Sequence, residues 1–157
     1  MLNHHRQVLI AGAGWAVEHG FGTDHDLRHT EDRGCLQGAD PDLVSERAYE
    51  RGRQQLGTLG SGNHFVEIAV VDEVYDPSVA QRLGLVPDSI AVTVHTGSRG
   101  FGYQVCDDFL KVMLKAAQKY GITLPDRQLC CAPISSPEGR QYLAAMAAAA
   151  NYAFANR

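Results

Sequence analysis

The stretch QLGTLGSGNHFVEI, residues 55–68, limits the possible folds of this chain more than any other segment. Three glycines fall within six residues, and an Asn-His pair then leads into a run with the composition of a strand. Glycine loses more conformational freedom on folding than other residues, so such a cluster implies a tight turn or a ligand held against the backbone. The stretch therefore predicts a break between a helix and a strand, with His64 at the start of the strand.

The segments on either side of this loop predict a helix and two strands. Residues 39–56 have the composition of one helix, with Asp40 as its cap and a proline in its first turn. Residues 64–76 and 86–95 are rich in β-branched residues and predict strands. In the first strand His64 and every second residue after it would share one face. The second strand reads as buried and ends at His95.

Two long helices are predicted in the second half of the chain. The first runs from residue 98 to about residue 119 and is closed by Gly121. The second follows the Ser136-Pro137 pair and is rich in alanine. Residues 6–19 fit either a helix or a strand followed by a helix. The pattern favours an α+β fold, a mixed β-sheet with flanking helices, in one domain of 157 residues.

Composition excludes several classes of protein. Apolar residues make up 45% of the chain and charged residues 20%, which is typical of a globular domain with a core. No apolar run reaches the roughly 18–20 residues of a membrane span, and no signal peptide is recognisable, so we expect a cytoplasmic protein without a membrane partner. A net charge of −4 argues against nucleic-acid binding by the whole surface but allows a local basic patch.

His64 follows one glycine-bearing loop at the start of a predicted strand, and His95 precedes another at the end of the next predicted strand. His64 and His95 each fit a metal ligand on a rigid strand, although His64 taken alone better fits a histidine hydrogen-bonded to nearby backbone. If the strands are neighbours, both imidazoles converge on one pocket suited to manganese, iron or zinc. After His95, the sequence TGSRG offers backbone N–H groups and Arg99 for a phosphate. Near the first loop, Arg51 fits either a solvated helix face or a phosphate contact.

Three ordered segments resemble the RtcB family of RNA ligases, the GTP-dependent tRNA-splicing ligases. They are residues 38–68 (GADPDLVSERAYERGRQQLGTLGSGNHFVEI), 94–105 (VHTGSRGFGYQV) and 131–157 (CAPISSPEGRQYLAAMAAAANYAFANR). The resemblance extends from about residue 15 to the last residue. It implies an RtcB-like partial fold in which residues 1–157 form a single fragment of the catalytic domain.

The resemblance also implies a chemistry. Family members join RNA 3′-phosphate or 2′,3′-cyclic phosphate ends to 5′-hydroxyl ends in tRNA splicing and RNA repair, with GTP and two manganese ions, and an archease-type activator is a possible partner. A family histidine is guanylylated, GMP then activates the RNA 3′-phosphate, and the 5′-hydroxyl displaces GMP. By motif position, His64 and His95 each ligate one manganese, and Arg51 and Arg99 hold RNA phosphate. The guanylate contacts would be Asn63, His64, Phe65, Val66 and Glu67.

This sequence lacks several residues of the family pattern, which limits the activity that we expect from it alone. It has no counterpart of the family's upstream aspartate and cysteine ligands, its third histidine ligand or its guanylylated histidine. We therefore expect a central segment that does not ligate RNA alone and whose partners include the remainder of the enzyme. Two alternatives remain open: a non-catalytic RNA- or nucleotide-binding module, and a small hydrolytic metalloenzyme that uses His64 and His95 with Glu67 or Asp107.

Overall fold

A computed structural model describes residues 2–157, with side chains from residue 4 onward. The α-helices and strands are, in chain order, α1 (Leu2–Ala11), α2 (Ala13–Glu18), α3 (Asp24–Arg28), α4 (Glu46–Gly52), β1 (Phe65–Val70), α5 (Pro77–Leu83), β2 (Ile90–His95), α6 (Arg99–Lys119) and α7 (Pro137–Asn156). Short 3-10 turns occupy Glu31–Gly34, Pro41–Leu43 and Arg127–Leu129. This arrangement confirms the α+β class. No helix within the described residues is both long and apolar enough to cross a membrane.

The chain divides into two compact units. Unit 1 contains the described residues up to Thr58 together with Gly97–Arg157, and unit 2 contains Leu59–Thr96. Unit 1 is all helical, and unit 2 holds both strands and α5. That the whole chain is one fragment of a larger catalytic domain stays a prediction.

The core of unit 1 lies where α6 packs against α4 and α7, and where α7 also packs against α1. The rings of Phe101 and Tyr152 stack at 4.9 Å between centroids, and both side chains are buried. The alanines of α7 leave room for close helix contacts, since four of them are buried in this helix: Ala145, Ala147, Ala148 and Ala149. Asn151 is fully buried and donates to the carbonyl oxygens of Leu9 and Leu36. This amide offsets the desolvation of a carbonyl group in the last turn of α1 and of one outside regular structure.

The two long helices agree with the prediction from sequence. The Ser136 hydroxyl accepts the N–H of Gly139, and Pro137 occupies the first position of α7. Helix α6 ends before Gly121, whose φ of 66° lies in the left-handed region that glycine adopts at helix ends. Residues 6–19, for which a helix and a strand–helix pair were both open, lie in α1 and α2.

The single helix predicted for residues 39–56 is wrong. Asp40 caps only the 3-10 turn Pro41–Leu43, and Val44 then adopts an extended conformation with φ −95° and ψ 130°. A new helix, α4, starts after Ser45, whose hydroxyl accepts the N–H of Ala48. The serine offers the backbone a cap in place of a continued helical turn, which is why the segment is interrupted there.

Unit 2 contains an antiparallel β-ribbon in which β1 pairs with β2. Phe65 lies opposite His95 and Val70 lies opposite Ile90. Among the described residues this pair is the whole sheet, so the parallel pairing that a mixed sheet would add is not seen there. The expectation that the second strand is buried is wrong, because Val92 is 62% exposed. The alternation predicted for β1 is confirmed by the register, although His64 lies one residue before the strand.

Candidate functional site

The glycine loop ahead of the ribbon requires glycine for its backbone conformation. Gly57, Gly60 and Gly62 have φ values of 72°, 110° and 79°, in the region that residues with a Cβ rarely adopt. A Cβ on Gly57 or Gly62 would meet no atom within 4 Å, so the space around both residues is open. The glycines are therefore needed for the turns themselves, and their surroundings leave room for a ligand to approach the backbone.

His64 and His95 come together at one end of the ribbon in unit 2. Their ring centroids are 6.3 Å apart, with the ring planes 62° apart. His64 comes directly before Phe65, which pairs with His95, so both histidines lie at the same end of the ribbon. The His95 ring also lies 5.2 Å from the Phe65 ring. His64 is half-buried and His95 is exposed, so the predicted convergence of the two imidazoles is observed at a site open to solvent.

The hydrogen bonds of Thr96 determine the tautomer of His64. The Thr96 hydroxyl donates its proton to the Leu59 carbonyl oxygen at 2.6 Å, and His64 Nδ1 lies 3.2 Å from the same hydroxyl oxygen. A hydroxyl has one proton to donate, so Nδ1 must act as the donor toward Thr96. The neutral ring then carries its lone pair on Nε2, which is the form that binds a metal.

The residues predicted to contact guanylate divide between the two faces of the ribbon. Phe65 and Glu67 lie on the same face as His95, and Val66 lies on the opposite face. Asn63 is exposed in the loop before the strand. No three side chains of His, Cys, Asp or Glu within residues 4–157 form a group that would hold a metal ion. The hydrolytic alternative with His64, His95 and Glu67 therefore loses its geometric support.

Arg51 and Arg99, the two residues predicted to contact phosphate, line one cavity of unit 1. The cavity has a volume of about 580 Å³ and is lined by Glu50, Arg51, Arg53, Gln54, Gln55, Thr58 and Arg99. Three arginines face one glutamate, so the local charge is positive although the whole chain is acidic. Such a local excess of guanidinium groups is typical of sites that bind phosphate.

Arg99 is held at the start of α6 in an unusual backbone conformation. Its φ of 52° is in the left-handed region, which costs energy for a residue with a Cβ. Arg99 Nε donates to the Thr58 hydroxyl at 3.2 Å, and the next N–H, of Gly100, donates to Gln55 Oε1 at 2.8 Å. Asn156 binds the backbone on both sides of this junction, accepting the N–H of Thr58 and donating to the Gly97 carbonyl oxygen.

Arg51 is oriented by two neighbours on α6. Its guanidinium donates to Gln104 Oε1 at 2.9 Å and lies 5.0 Å from the centre of the Tyr103 ring. Gln104 and Gln55 were not predicted from the sequence. A polar residue on the buried face of α6 was the available signal for Gln104, which is only 2% exposed. Gln55 carried no signal, because it lies in a loop next to another glutamine.

Comparison with known proteins extends over the same residues. The family model described as tRNA-splicing ligase RtcB matches residues 2–157. A tRNA-splicing ligase RtcB of Archaeoglobus fulgidus is 56% identical over 151 residues, which are 96% of this chain and 31% of the relative. The tRNA-splicing ligase RtcB of Methanococcus maripaludis is 53% identical over 96% of this chain and 31% of the relative. An RNA-splicing ligase RtcB of Mycobacterium bovis is 53% identical over 97% of this chain and 35% of the relative.

The chain thus spans about a third of the length of these relatives. The match nonetheless covers nearly every residue of the chain itself, including both histidine segments and the arginine cavity. The sequence resemblance noted above is therefore confirmed, and this chain belongs to the tRNA-splicing ligase RtcB family.

Proposed function

We propose that this chain is a segment of a GTP- and manganese-dependent RNA ligase and that it supplies the contacts to the RNA 3′-phosphate. The ligase joins 3′-phosphate or 2′,3′-cyclic phosphate ends to 5′-hydroxyl ends in tRNA splicing or RNA repair. The observation that carries the proposal is the cavity of unit 1 in which Arg51 and Arg99 both lie. Membership of a family whose members are named ligases supports the reaction class.

Guanidinium groups suit this role better than ammonium groups would. Each presents several N–H donors in a plane, which matches the oxygens of a terminal phosphate. Arg51 uses one nitrogen for Gln104 and Arg99 uses Nε for Thr58. Both side chains are thereby oriented before the ligand arrives, which lowers the entropy lost on binding. A phosphate held in this way is positioned for attack by a hydroxyl group.

The histidine pair fits part of a manganese site. His64 presents Nε2 as a lone-pair donor, and the His95 ring is exposed 6.3 Å away, so each imidazole is available to a metal. Manganese bound there would act as a Lewis acid and lower the pKa of the groups bound to it. Two imidazoles are fewer donors than a stable site needs, so the remaining ligands would come from outside these residues. The neighbouring segment from Asn63 to Glu67 is proposed to contact the guanylate.

The phosphate assignment is tested by RNA binding to the purified chain. We expect a short single-stranded RNA with a 3′-phosphate to bind more tightly than the same RNA with a 3′-hydroxyl, as measured by fluorescence anisotropy. Arg51→Met and Arg99→Met should each weaken binding of the phosphorylated RNA about ten-fold, because a charge-assisted hydrogen bond is lost. Each should also lower the slope of log K against log salt by about 0.7.

Arg127→Met is the matched control. It makes the same change of charge in unit 1 at an exposed residue that does not line the cavity. It should leave the preference for the 3′-phosphate unchanged. Equal binding of the two RNAs by the unmodified chain, or equal effects of all three variants, would contradict the proposal.

A second experiment separates this segment from a complete ligase. After incubation with labelled GTP and manganese, we expect no covalent guanylate on the chain, because the family's guanylylated histidine has no counterpart here. Intact-mass spectrometry measures this directly. A stable adduct would show that the chain carries its own nucleophile. The remaining segments of a full-length relative can then be supplied in trans. If the chain binds GTP and 3′-phosphorylated RNA but no ligation follows, the non-catalytic binding module is favoured.

A further inference from the structure

The neighbours of Arg51 form a chain of hydrogen bonds in which every direction is determined. The N–H of Ala48 donates to the Ser45 hydroxyl, and that hydroxyl donates to Asp108 Oδ2. Gln104 Nε2 donates to Asp108 Oδ1 at 2.8 Å, and Gln104 Oε1 accepts from Arg51 at 2.9 Å. The chain of bonds connects the start of α4 with the phosphate cavity through α6.

The carboxylate of Asp108 sets the orientation of the Gln104 amide. A carboxylate only accepts hydrogen bonds, so the amide must turn its NH₂ group toward Asp108. The amide oxygen then points at Arg51, which only donates. Gln104 Nε2 also lies 3.5 Å from Asp107 Oδ2, so a second carboxylate favours the same orientation. A flipped amide would place two donors against each other and leave a carboxylate oxygen without its proton donor.

Burial makes this orientation persistent. Gln104 is 2% exposed, so water does not replace a lost partner. A buried polar group without a partner is costly, and the energetic difference between the two amide orientations is correspondingly large. Arg51 by contrast is exposed, and its guanidinium would otherwise sample many rotamers. The buried Gln104 amide thus restricts the rotamers of the exposed Arg51 side chain.

We propose that Gln104 is a positioning residue for Arg51, with its amide oriented by Asp108, and that it preorganises the phosphate site. This inference rests on the proposed function, since it assigns a role to the arginine of that site. Gln104 does not line the cavity and acts only through Arg51. The arrangement raises phosphate affinity by reducing the freedom that Arg51 loses on binding.

A double-mutant cycle tests the inference. We expect Gln104→Met, which keeps the length of the side chain and removes the acceptor, to weaken binding of 3′-phosphorylated RNA about three- to ten-fold. In an Arg51→Met background the same substitution should have no further effect, because its target is gone. Gln118→Met is the matched control, as it is an exposed glutamine of the same helix. Thermal unfolding of each variant is measured alongside.

The outcomes separate the two proposals. If the unmodified chain shows no preference for a 3′-phosphate, the proposed function fails. If Arg51→Met removes the preference and Gln104→Met does not reduce it, the positioning role alone is overturned. Equal weakening by Gln104→Met with and without Arg51 would show a general structural effect and would also overturn it.

A second variant covers the case in which Gln104→Met does not fold. Asp108→Leu keeps the approximate volume of the side chain and removes both acceptor oxygens. The NH₂ group of the Gln104 amide then keeps only the contact to Asp107 at 3.5 Å, so the orientation of the amide is less constrained. We expect about two- to three-fold weaker binding, again only when Arg51 is present. An Asp108→Leu chain that is folded and binds normally would contradict the inference.

Discussion

Thr96 has a single hydroxyl proton, and the Leu59 carbonyl oxygen accepts it at 2.6 Å. The neighbouring His64 ring is therefore the donor through Nδ1, and its Nε2 is left as the metal-binding atom. Gln104 works by the same logic, since Asp108 leaves its amide one favourable orientation. Thr96 thus determines the tautomer of His64, and Gln104 restricts the orientation of Arg51, although neither Thr96 nor Gln104 is charged.

Thr96→Val tests this at His64. The valine keeps the shape of threonine and removes the acceptor for Nδ1–H, so the ring should populate both neutral tautomers. Long-range ¹H–¹⁵N spectra of the metal-free chain measure the populations of the two neutral tautomers. Manganese affinity should fall about ten-fold, as is common when a ligand loses its outer hydrogen-bond partner. Thr93→Val, at an exposed position of β2, is the control, and an unchanged tautomer ratio in Thr96→Val would contradict the assignment.

Tyr152 gives a pH-dependent prediction. Burial raises the pKa of Tyr152 to about 12, although the charge of Arg99 acts in the opposite direction. The folded state thus binds the phenol proton more tightly than the unfolded state, whose pKa is about 10. The stabilisation is complete below pH 10 and is lost as the pH rises from 10 toward 12.

Tyr152→Phe should remove that dependence. The ring still stacks on Phe101, but the hydrogen bond from the hydroxyl to the Gly52 carbonyl oxygen, at 2.8 Å, is lost. We expect the variant to be less stable by about 1–2 kcal/mol at pH 7. In urea unfolding, this difference should shrink above pH 10. Tyr75→Phe, at a residue 89% exposed, should show neither effect. A difference in stability that stays constant up to pH 12 would contradict the explanation.

At the scale of elements, the first turn of α7 is packed against the loop before it. The Ser136 hydroxyl accepts the Gly139 N–H at 3.0 Å and donates to the Pro133 carbonyl oxygen at 2.6 Å. A Cβ built on Gly139 would lie only 2.4 Å from that carbonyl oxygen. Glycine at this position is therefore required by a backbone contact and not by its conformational freedom.

Gly139→Ala should destabilise the chain by about 1–3 kcal/mol, because the loop must move away from the helix. Gly14→Ala is the matched control: it also lies in a helix, and its Cβ would meet no atom within 4 Å. That substitution should leave stability unchanged or raise it by up to about 1 kcal/mol through helix propensity. Urea unfolding followed by circular dichroism compares the two. Equal stabilities of the two alanine variants would show that the loop moves at little energetic cost and would contradict the prediction.

Helices were predictable where their ends carry strong signals. Ser136 and Pro137 marked the start of α7, and Gly121 marked the end of α6, because these residues bond or restrict the local backbone. The start of α4 was misjudged although Ser45 was visible in the sequence. Asp40 and Ser45 are both good caps, and choosing between them depends on the packing of the turn Pro41–Leu43, which local sequence does not reveal.

At the scale of the whole molecule, the ribbon of unit 2 presents an apolar face to solvent. Its side chains form three directly opposed pairs, Val66 with Val94, Ile68 with Val92, and Val70 with Ile90. All six are between 46% and 75% exposed. An isolated two-stranded ribbon is marginally stable, and a contiguous exposed apolar face favours association. We expect this face to pair with the same face of a second copy when the chain is concentrated.

Ile68→Glu combined with Val92→Lys tests this expectation. The two residues are directly opposite, so the new charges attract each other and preserve the strand pairing. Sedimentation velocity should show less self-association than for the unmodified chain. The control is Glu67→Lys with Thr93→Glu, which places an opposed charge pair on the other face of the ribbon. Self-association that is equal in both double variants would exclude the apolar face as the contact.

The sequence alone determined the class of fold and the alternation along β1, because periodicity selects the element. It predicted the proximity of His64 and His95 only on the condition that the strands are neighbours, and the antiparallel pairing brings the start of β1 and the end of β2 together. Tertiary structure alone decided the exposure of β2 and the contact between Arg51 and Gln104, whose residues are 53 positions apart. Burial and hydrogen-bond direction depend on what packs against a residue. The Gln104 amide oxygen faces Arg51 because the Asp108 carboxylate binds the NH₂ group of the same amide.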